Sequence, residues 1–284
     1  MTMILIADSG STKTLWSLVD NAGGVRRFET KGFNPYFSDQ HQLVNALNAS
    51  EVLQRVHRDA LIDVYFYGAG CFPDKAHMIE EAMHSFFSSA VVHVELDLLG
   101  AARGLLGHSD GFVGILGTGA NSGLFVGGKI VQNIDSLGYI LGDEGSGCYI
   151  GKQFLSSFLR GYLPADLAAL FYECYHLSAE DIMDALYAKP LANRFCASFS
   201  TFVGSHIEHP FLRKLVATCF DDFFKNLVSQ YRDYQNLSFN CVGSVAYHFQ
   251  EILQESCQKF HMRVGNIHQS PMEGLELFHK AKLS

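Results

Sequence analysis

The seven cysteines (Cys71, Cys148, Cys174, Cys196, Cys219, Cys241, Cys257) are odd in number, and no two lie at zinc-binding or thiol-exchange spacing. Metal ribbons, CxxC redox sites and disulfide frameworks therefore drop out, and the cysteines read as small core hydrophobes of a reducing cytoplasm. Basic charge is also scarce: 21 Lys and Arg stand against 29 Asp and Glu, a formal net charge of −8, with no basic run. A reader of phosphate backbones shows a basic stripe, so nucleic acid is not an expected partner. No apolar run reaches spanning length, and Asp8 breaks the first after a few residues, which argues against a membrane helix or a signal peptide. The thirteen histidines are scattered without ligand spacing. What is present is core-forming material: 284 residues at 48% hydrophobic and 13% aromatic, enough for one large domain or two ordinary ones.

Runs at 3–8, 14–19 and 25–31 are rich in strand formers and separated by polar, glycine-bearing turns, the pattern of a β-meander. Helical spacing at 41–56, a strand at 61–68, a helix at 75–87 and a strand at 90–96 follow, predicting an α/β layer on a mixed sheet. The pattern restarts at "GFVGILGTGANSGLFVGGKIV" (111–131), with Gly117-Thr118-Gly119 where Asp8-Ser9-Gly10 stood. Two related domains are expected, 1–109 and 110–284, with a short hinge and a cleft between them. The second half reads as mostly helical from about 144, with a long amphipathic stretch near 211–234. "LSFNCVGSVA" (237–246) runs a buried strand into Gly243-Ser244. A strand at 261–266 and a last helix from 272, led by Pro271 and expected to pack back on the first domain, finish the chain.

Turns of Gly, Ser and Thr let consecutive backbone N–H groups face one concavity, which suits an anion, because glycine tolerates positive φ and no bulky side chain blocks approach. Asp8-Ser9-Gly10-Ser11-Thr12-Lys13 adds hydroxyls and an ammonium for phosphate oxygens, and Asp8 at the strand end suits Mg²⁺. Two such hairpins can grip a polyphosphate from both sides, and adenine can lie against the Gly243-Ser244 turn. For Asp8 the alternative is a turn-stabilising carboxylate, and for Lys13 a solvated surface lysine.

"IADSGSTKT" (6–14), "GILGTGANSGL" (114–124), "LGDEGSG" (141–147) and "CVGSVA" (241–246), in this order, resemble the motifs of the sugar kinase, Hsp70 and actin superfamily, and within it the N-acetylglucosamine kinase and BadF/BadG-type ATPase family. The resemblance implies two ribonuclease H-like (actin-like ATPase) α/β domains around a central nucleotide cleft, with ATP and Mg²⁺ as cofactors. It assigns Gly10, Ser11, Thr12, Lys13, Gly117, Thr118 and Gly119 to phosphate, Gly243 and Ser244 to adenosine and Asp8 to the metal. Asp97, where a buried strand meets a helix, matches the general base; its other reading is a helix N-cap, and both can hold. Asn34, Asn121, Asp143 and Glu144 match sugar contacts, and Gly68, Ala69 and Gly70 suit close backbone approach to the sugar. Turn residues and acids placed by a helix dipole are the competing readings for these.

The expected activity is ATP-dependent phosphorylation of an amino sugar, N-acetylglucosamine at its 6-hydroxyl, by a cytoplasmic homodimer. The run "DSLGYILGDEGSG" replaces the Gly-Gly-Trp-Gly of the N-acetylglucosamine kinases, which keeps glucosamine or another hexosamine as an alternative acceptor. A second alternative is an ATPase driving a partner enzyme, although the cysteines that hold an iron–sulfur cluster in such activators are missing from the second phosphate stretch. A sugar-sensing regulator would want an added DNA-binding segment, for which the start of the chain leaves no space.

Overall fold

The computed structural model describes residues 2–35, 39–54 and 60–283. The chain divides into two compact units: Met1–Val113, Leu124–Gln132 and Ser270–Ser284 make the first, and Gly114–Gly123 and Asn133–Gln269 the second.

The first unit is built on a sheet of β1 (Met3–Ser9), β2 (Lys13–Asp20), β3 (Val25–Lys31), β4 (Leu61–Gly68) and β5 (Val91–Leu96), in the order β3-β2-β1-β4-β5. The first three form the antiparallel meander, and β4 and β5 run parallel to β1, so the sheet is mixed. The turn between β2 and β3 is closed by Asp20, whose Oδ1 accepts from the amides of Ala22 and Gly24, with Gly23 at φ +88°. Alternation along β1 divides the core between two faces. Leu5 and Ala7 pack with Trp16, Phe66, Ile79 and Met83 on one side. Ile4 and Ile6 pack with Tyr65, Tyr67, Met272 and Leu275 on the other.

Around this sheet lie α1 (Gln40–Asn48), capped by Asp39, α2 (Glu51–Gln54), α3 (Pro73–Phe86), with proline in its first turn, α4 (Asp97–Leu106) and, from the far end of the chain, α13 (Met272–Lys280). The end of the helical 41–56 stretch, beyond residue 54, lies outside the described residues. Helices α4 and α13 meet glycine to glycine: a Cβ on Gly274 would strike the carbonyl of Gly104.

Glu276 of α13, 8% exposed, accepts from Ser17 Oγ at 2.6 Å and from Arg27 Nε and Nη2 at 2.7 Å each. Burial alone would raise its pKa, but the Arg27 and Ser17 hydrogen bonds and the Arg27 charge hold it below the usual carboxylate range. A depressed carboxylate contributes stability above its unfolded pKa and loses it as pH falls through the folded value. Glu276→Gln is expected to cost about 1–3 kcal/mol at neutral pH in urea unfolding, with the difference from the parent shrinking below about pH 4.

A second five-stranded sheet holds β6 (Gly111–Leu116), β7 (Ala120–Val126), β8 (Lys129–Asn133), β9 (Ser238–Val242) and β10 (Arg263–His268), in the order β10-β9-β6-β7-β8. Read from its own meander outward, this is the order of the first sheet again. The expected α/β class with two ribonuclease H-like, actin-like ATPase domains is what the strands form. The Gly127-Gly128 hairpin between β7 and β8 places both glycines at positive φ, +57° and +82°.

The helices of the second unit are α5 (Gly138–Leu141), α6 (Gly147–Leu159), α7 (Ala165–Tyr175), α8 (Ala179–Tyr187), α9 (Ala192–Ser205), α10 (Pro210–Asn226), α11 (Ser244–His248) and α12 (Gln250–Lys259). Phe154, Phe171, Phe199 and Phe202 from α6, α7 and α9 interlock at tilted and edge-on angles with centroids 5.1–5.6 Å apart. The amphipathic pattern near 211–234 overshoots, because helix α10 stops at Asn226. Beyond it Tyr231 turns inward, 1% exposed, and its hydroxyl is 2.9 Å from both Ser122 Oγ and the amide of Ile134. That tertiary demand overrides helical spacing. Six cysteines are buried as expected of core hydrophobes; Cys174 on α7 is exposed. Among the described residues no helix is long and apolar enough to cross a membrane.

Candidate functional site

In the first unit the carboxyl ends of three parallel strands are level. Ser9 of β1 pairs with Gly68 of β4, which pairs with Leu96 of β5, so Asp8, the 68–70 turn and Asp97 share one edge of the sheet. Open α/β sheets bind ligands at this edge. Asp97 is the first residue of α4, not the cap preceding it, and its Oδ1 accepts the Leu98 amide at 2.8 Å.

Asp8 and Asp97 are both half-buried. Burial raises the pKa of each to about 6, and the charge of Asp97 adds to the rise at Asp8. The Ser270 hydroxyl, 3.3 Å from Asp8 Oδ2, and the charge of Lys13 oppose the rise at Asp8; backbone amides oppose it at Asp97. Desolvation thus disfavours the charged form of each.

The first turn, Gly10 to Lys13, is closed by a hydrogen bond from the Gly10 amide to the Lys13 carbonyl at 3.0 Å. Its edge is solvent-facing, with Gly10, Thr12 and Lys13 exposed and Ser11 half-buried. The ammonium of Lys13 pairs with Glu29 on β3 at 2.6 Å, an exposed pair that occupies the group expected at phosphate. Asn34 is buried at 8% exposure. The Gly68-Ala69-Gly70 turn joins β1 through the Ala69 amide, which donates to the Ser9 carbonyl at 3.0 Å, and Gly70 needs its positive φ of +77°.

In the second unit, Gly117, Thr118 and Gly119 form a turn held from behind by α6: the amides of Gly147 and Cys148 donate to the carbonyls of Gly117 and Thr118 at 2.8 and 3.0 Å. The outer side of Gly117 is open, since a Cβ there would meet nothing within 4 Å. None of Gly10, Gly117 or Gly119 adopts a positive φ, and a Cβ on Gly119 would lie 3.1 Å from Asp143 Oδ2. Asp143, itself left-handed at φ +60° and 8% exposed, accepts the Ala120 amide on Oδ1 at 3.1 Å. Burial raises its pKa against that hydrogen bond.

Gly243, at φ +128°, presses against the same turn: a Cβ on it would strike the Leu116 carbonyl and lie 3.1 Å from the Gly117 amide nitrogen. Ser244 then opens α11. Asn121 spends its Oδ1 on the Ser122 amide and Asn133 Nδ2, and Glu144 accepts from Asn226 Nδ2 at 2.8 Å.

Each unit thus gathers one half of the expected set. Asp8, Asp97, Asn34 and Gly68–Gly70 belong to the first, and Gly117–Gly119, Asn121, Asp143, Glu144, Gly243 and Ser244 to the second. Two residues that the sequence reading passed over are built into these halves, Gly32, whose Cβ would lie 2.6 Å from the Lys13 amide nitrogen, and Ser270 beside Asp8, while Ser9, read there among the hydroxyls of the first turn, is fully buried behind it. Only the glycine before Asn34 carried a local signal.

We found no family model and no curated protein that matches the chain. Solved structures do. A candidate N-acetylglucosamine kinase from Porphyromonas gingivalis is 43% identical, with 99% of this chain and 100% of that one aligned at a TM-score of 0.94. A candidate N-acetylglucosamine kinase from Chromobacterium violaceum aligns over 98% of this chain and 99% of its own, at a TM-score of 0.72 and 16% identity. A ROK family glucokinase from Streptomyces griseus, solved with glucose and AMPPNP, aligns over 99% of both chains at 0.56 and 15%. The last two are alike in fold alone.

Proposed function

The chain belongs to the N-acetylglucosamine kinase and BadF/BadG-type ATPase family, and from that membership we propose that it is a sugar kinase moving the γ-phosphoryl group of ATP to the 6-hydroxyl of N-acetylglucosamine, with Asp97 as general base. The observation that carries this reading is the pair of desolvated carboxylates at one sheet edge, both at a pKa of about 6. One can stay ionised beside a cation while the other takes a proton from an attacking alcohol.

The donors present suit Mg²⁺. Among the described residues no group of three or more His, Cys, Asp or Glu could cage a metal. A magnesium ion held by one or two carboxylates, with water and phosphate oxygens completing its shell, needs no such cage. Asp8 is the residue that would hold it, and when bound it would neutralise charge on the phosphates.

The remaining work falls to the chain's own groups. The backbone at Gly10–Thr12 and at Gly117–Gly119 receives phosphate oxygens, and the clearance outside Gly117 admits them. Gly243 and Ser244 offer adenosine a surface free of side chains. Asp97 orients the sugar hydroxyl and accepts its proton at a carboxylate oxygen; its hydrogen bond to the Leu98 amide fixes the other oxygen's direction. Asn34, Asn121, Asp143 and Glu144 are the proposed sugar contacts, with Asp143 also steadying the second phosphate turn through the Ala120 amide.

The test is ADP release from ATP and Mg²⁺ with N-acetylglucosamine, glucosamine, N-acetylmannosamine and glucose in turn. N-acetylglucosamine is expected to give the highest kcat/KM, with the phosphate found on O6. ADP release that no sugar stimulates would remove the kinase reading.

A further inference from the structure

Ser9 stands where the side chain can serve neither phosphate nor solvent, since it is fully buried. Its hydroxyl is nevertheless used in every capacity it has. It donates to the Phe33 carbonyl at 2.9 Å and accepts the Phe33 amide at 3.2 Å. It also lies 2.7 Å from Thr14 Oγ1, whose own proton can go to Ser9 or to the Lys31 carbonyl at 3.4 Å. A single side chain thus captures both backbone groups of a residue 24 positions away, as a strand neighbour would.

The backbone of Ser9 reaches in a second direction, its carbonyl accepting the Ala69 amide at 3.0 Å. The segment before Asn34 is pressed onto the first phosphate turn by more than Ser9. The Gly32 amide donates to the Thr12 carbonyl at 2.9 Å, and the space a Cβ would need at Gly32 is taken by the Gly10 carbonyl and the Lys13 amide. Two loops proposed to face the sugar, 32–34 and 68–70, are therefore registered on the last residue of the strand that carries Asp8.

We infer that Ser9 is a positioning residue for the sugar: its hydroxyl fixes Phe33, and through it Asn34, against the phosphate turn, so that sugar affinity and not ATP affinity depends on it. This rests on the sugar-kinase reading above. No reacting group touches Ser9, and its effect passes entirely through the Phe33 peptide.

Four variants and two readouts decide the matter. In Ser9→Ala and in Ser9→Cys, which keeps volume but offers a poor hydrogen-bonding group, the sugar KM is expected to rise about tenfold or more while the ATP KM changes less than about threefold. Hydrogen exchange at the Phe33 amide should quicken by a similar factor in both. Thr14→Ser, which keeps the donor, should match the parent, and Thr14→Val should give a smaller rise in sugar KM. If Ser9→Ala fails to fold, Ser9→Cys and Thr14→Val carry the comparison.

An unchanged sugar KM in a variant whose Phe33 amide has been released would overturn the inference, as would an equal rise in both KM values. If the parent enzyme neither binds a sugar by thermal shift nor phosphorylates one, the kinase reading itself fails and takes this inference with it. If the parent does both and the variants keep its sugar affinity, the inference alone is lost.

Discussion

Asp97→Asn is expected to lower kcat about a thousandfold and, at the same time, to make the protein more stable at pH 7. The first effect follows from removing the only acceptor proposed for the sugar proton; binding of ATP, which the substitution does not touch, should keep its KM within about threefold. The second follows from linkage. A carboxyl whose folded pKa lies near 6, above its unfolded value, contributes stability that is complete below the unfolded pKa of about 3.8 and lost as pH rises through the folded one. At pH 7 the ionised, desolvated Asp97 is a burden on the fold, and asparagine relieves it. With the residue half-buried and able to relax, about 1–2 kcal/mol is the reasonable gain at pH 7, vanishing toward pH 4. Stopped-time assays and urea unfolding at both pH values check the pair of effects. In the parent enzyme kcat/KM should climb with pH through the region near 6 as Asp97 and Asp8 ionise, and the variant should keep only the part that Asp8 contributes. A variant that loses activity together with stability would mark Asp97 as a structural helix-start residue instead.

Gly243→Ala should be among the most damaging single methyl groups in the second unit. The position is doubly closed: φ is +128°, and the new Cβ would run into the Leu116 carbonyl, a backbone atom that no rotamer change can move. Either the β9–α11 turn swings outward or the second phosphate turn is displaced. About 2–4 kcal/mol of stability should be lost, and ATP affinity should fall by at least about tenfold in calorimetric titration. The contrasting control is Gly117→Ala. Its Cβ meets nothing within 4 Å, so stability should hold while the methyl group fills the space proposed for phosphate. Equal loss of stability in both would contradict the distinction between a packing glycine and a clearance glycine.

The central strands were legible because they are short apolar runs bounded by turn residues, and the repeated meander announced a second sheet of the same order. The carboxylates were legible too: Asp8 and Asp97 close apolar strands, where a charge has no packing reason to be. What escaped was whatever depends on partners far along the chain. Ser9 meets Phe33 across 24 residues and Ser270 meets Asp8 across 262, and no local pattern marks either contact. The mirror case is Lys13, whose place in a Ser-Thr-Lys turn invites a phosphate while strand pairing sets Glu29 within reach. Of the two reasons the sequence offers for glycine in these turns, positive φ is absent at Gly10, Gly117 and Gly119, which leaves the unblocked approach. The long amphipathic stretch after residue 210 was cut short because burying Tyr231 outweighs continued helical periodicity.

Helix α13 gives the molecule a particular order of assembly. Met272 and Leu275 lie in the same apolar cluster as Ile4 and Ile6, and Glu276 takes hydrogen bonds from Ser17 across 259 residues. Residues 1–100 without α13 therefore form a sheet with that apolar face incompletely covered. The second unit lies between those residues and their last helix in the sequence, so this face is completed only by a segment that follows the whole second unit. Loop closure on that scale slows folding and prolongs exposure of apolar strand faces, which is when chaperone capture is most useful to a chain of this size.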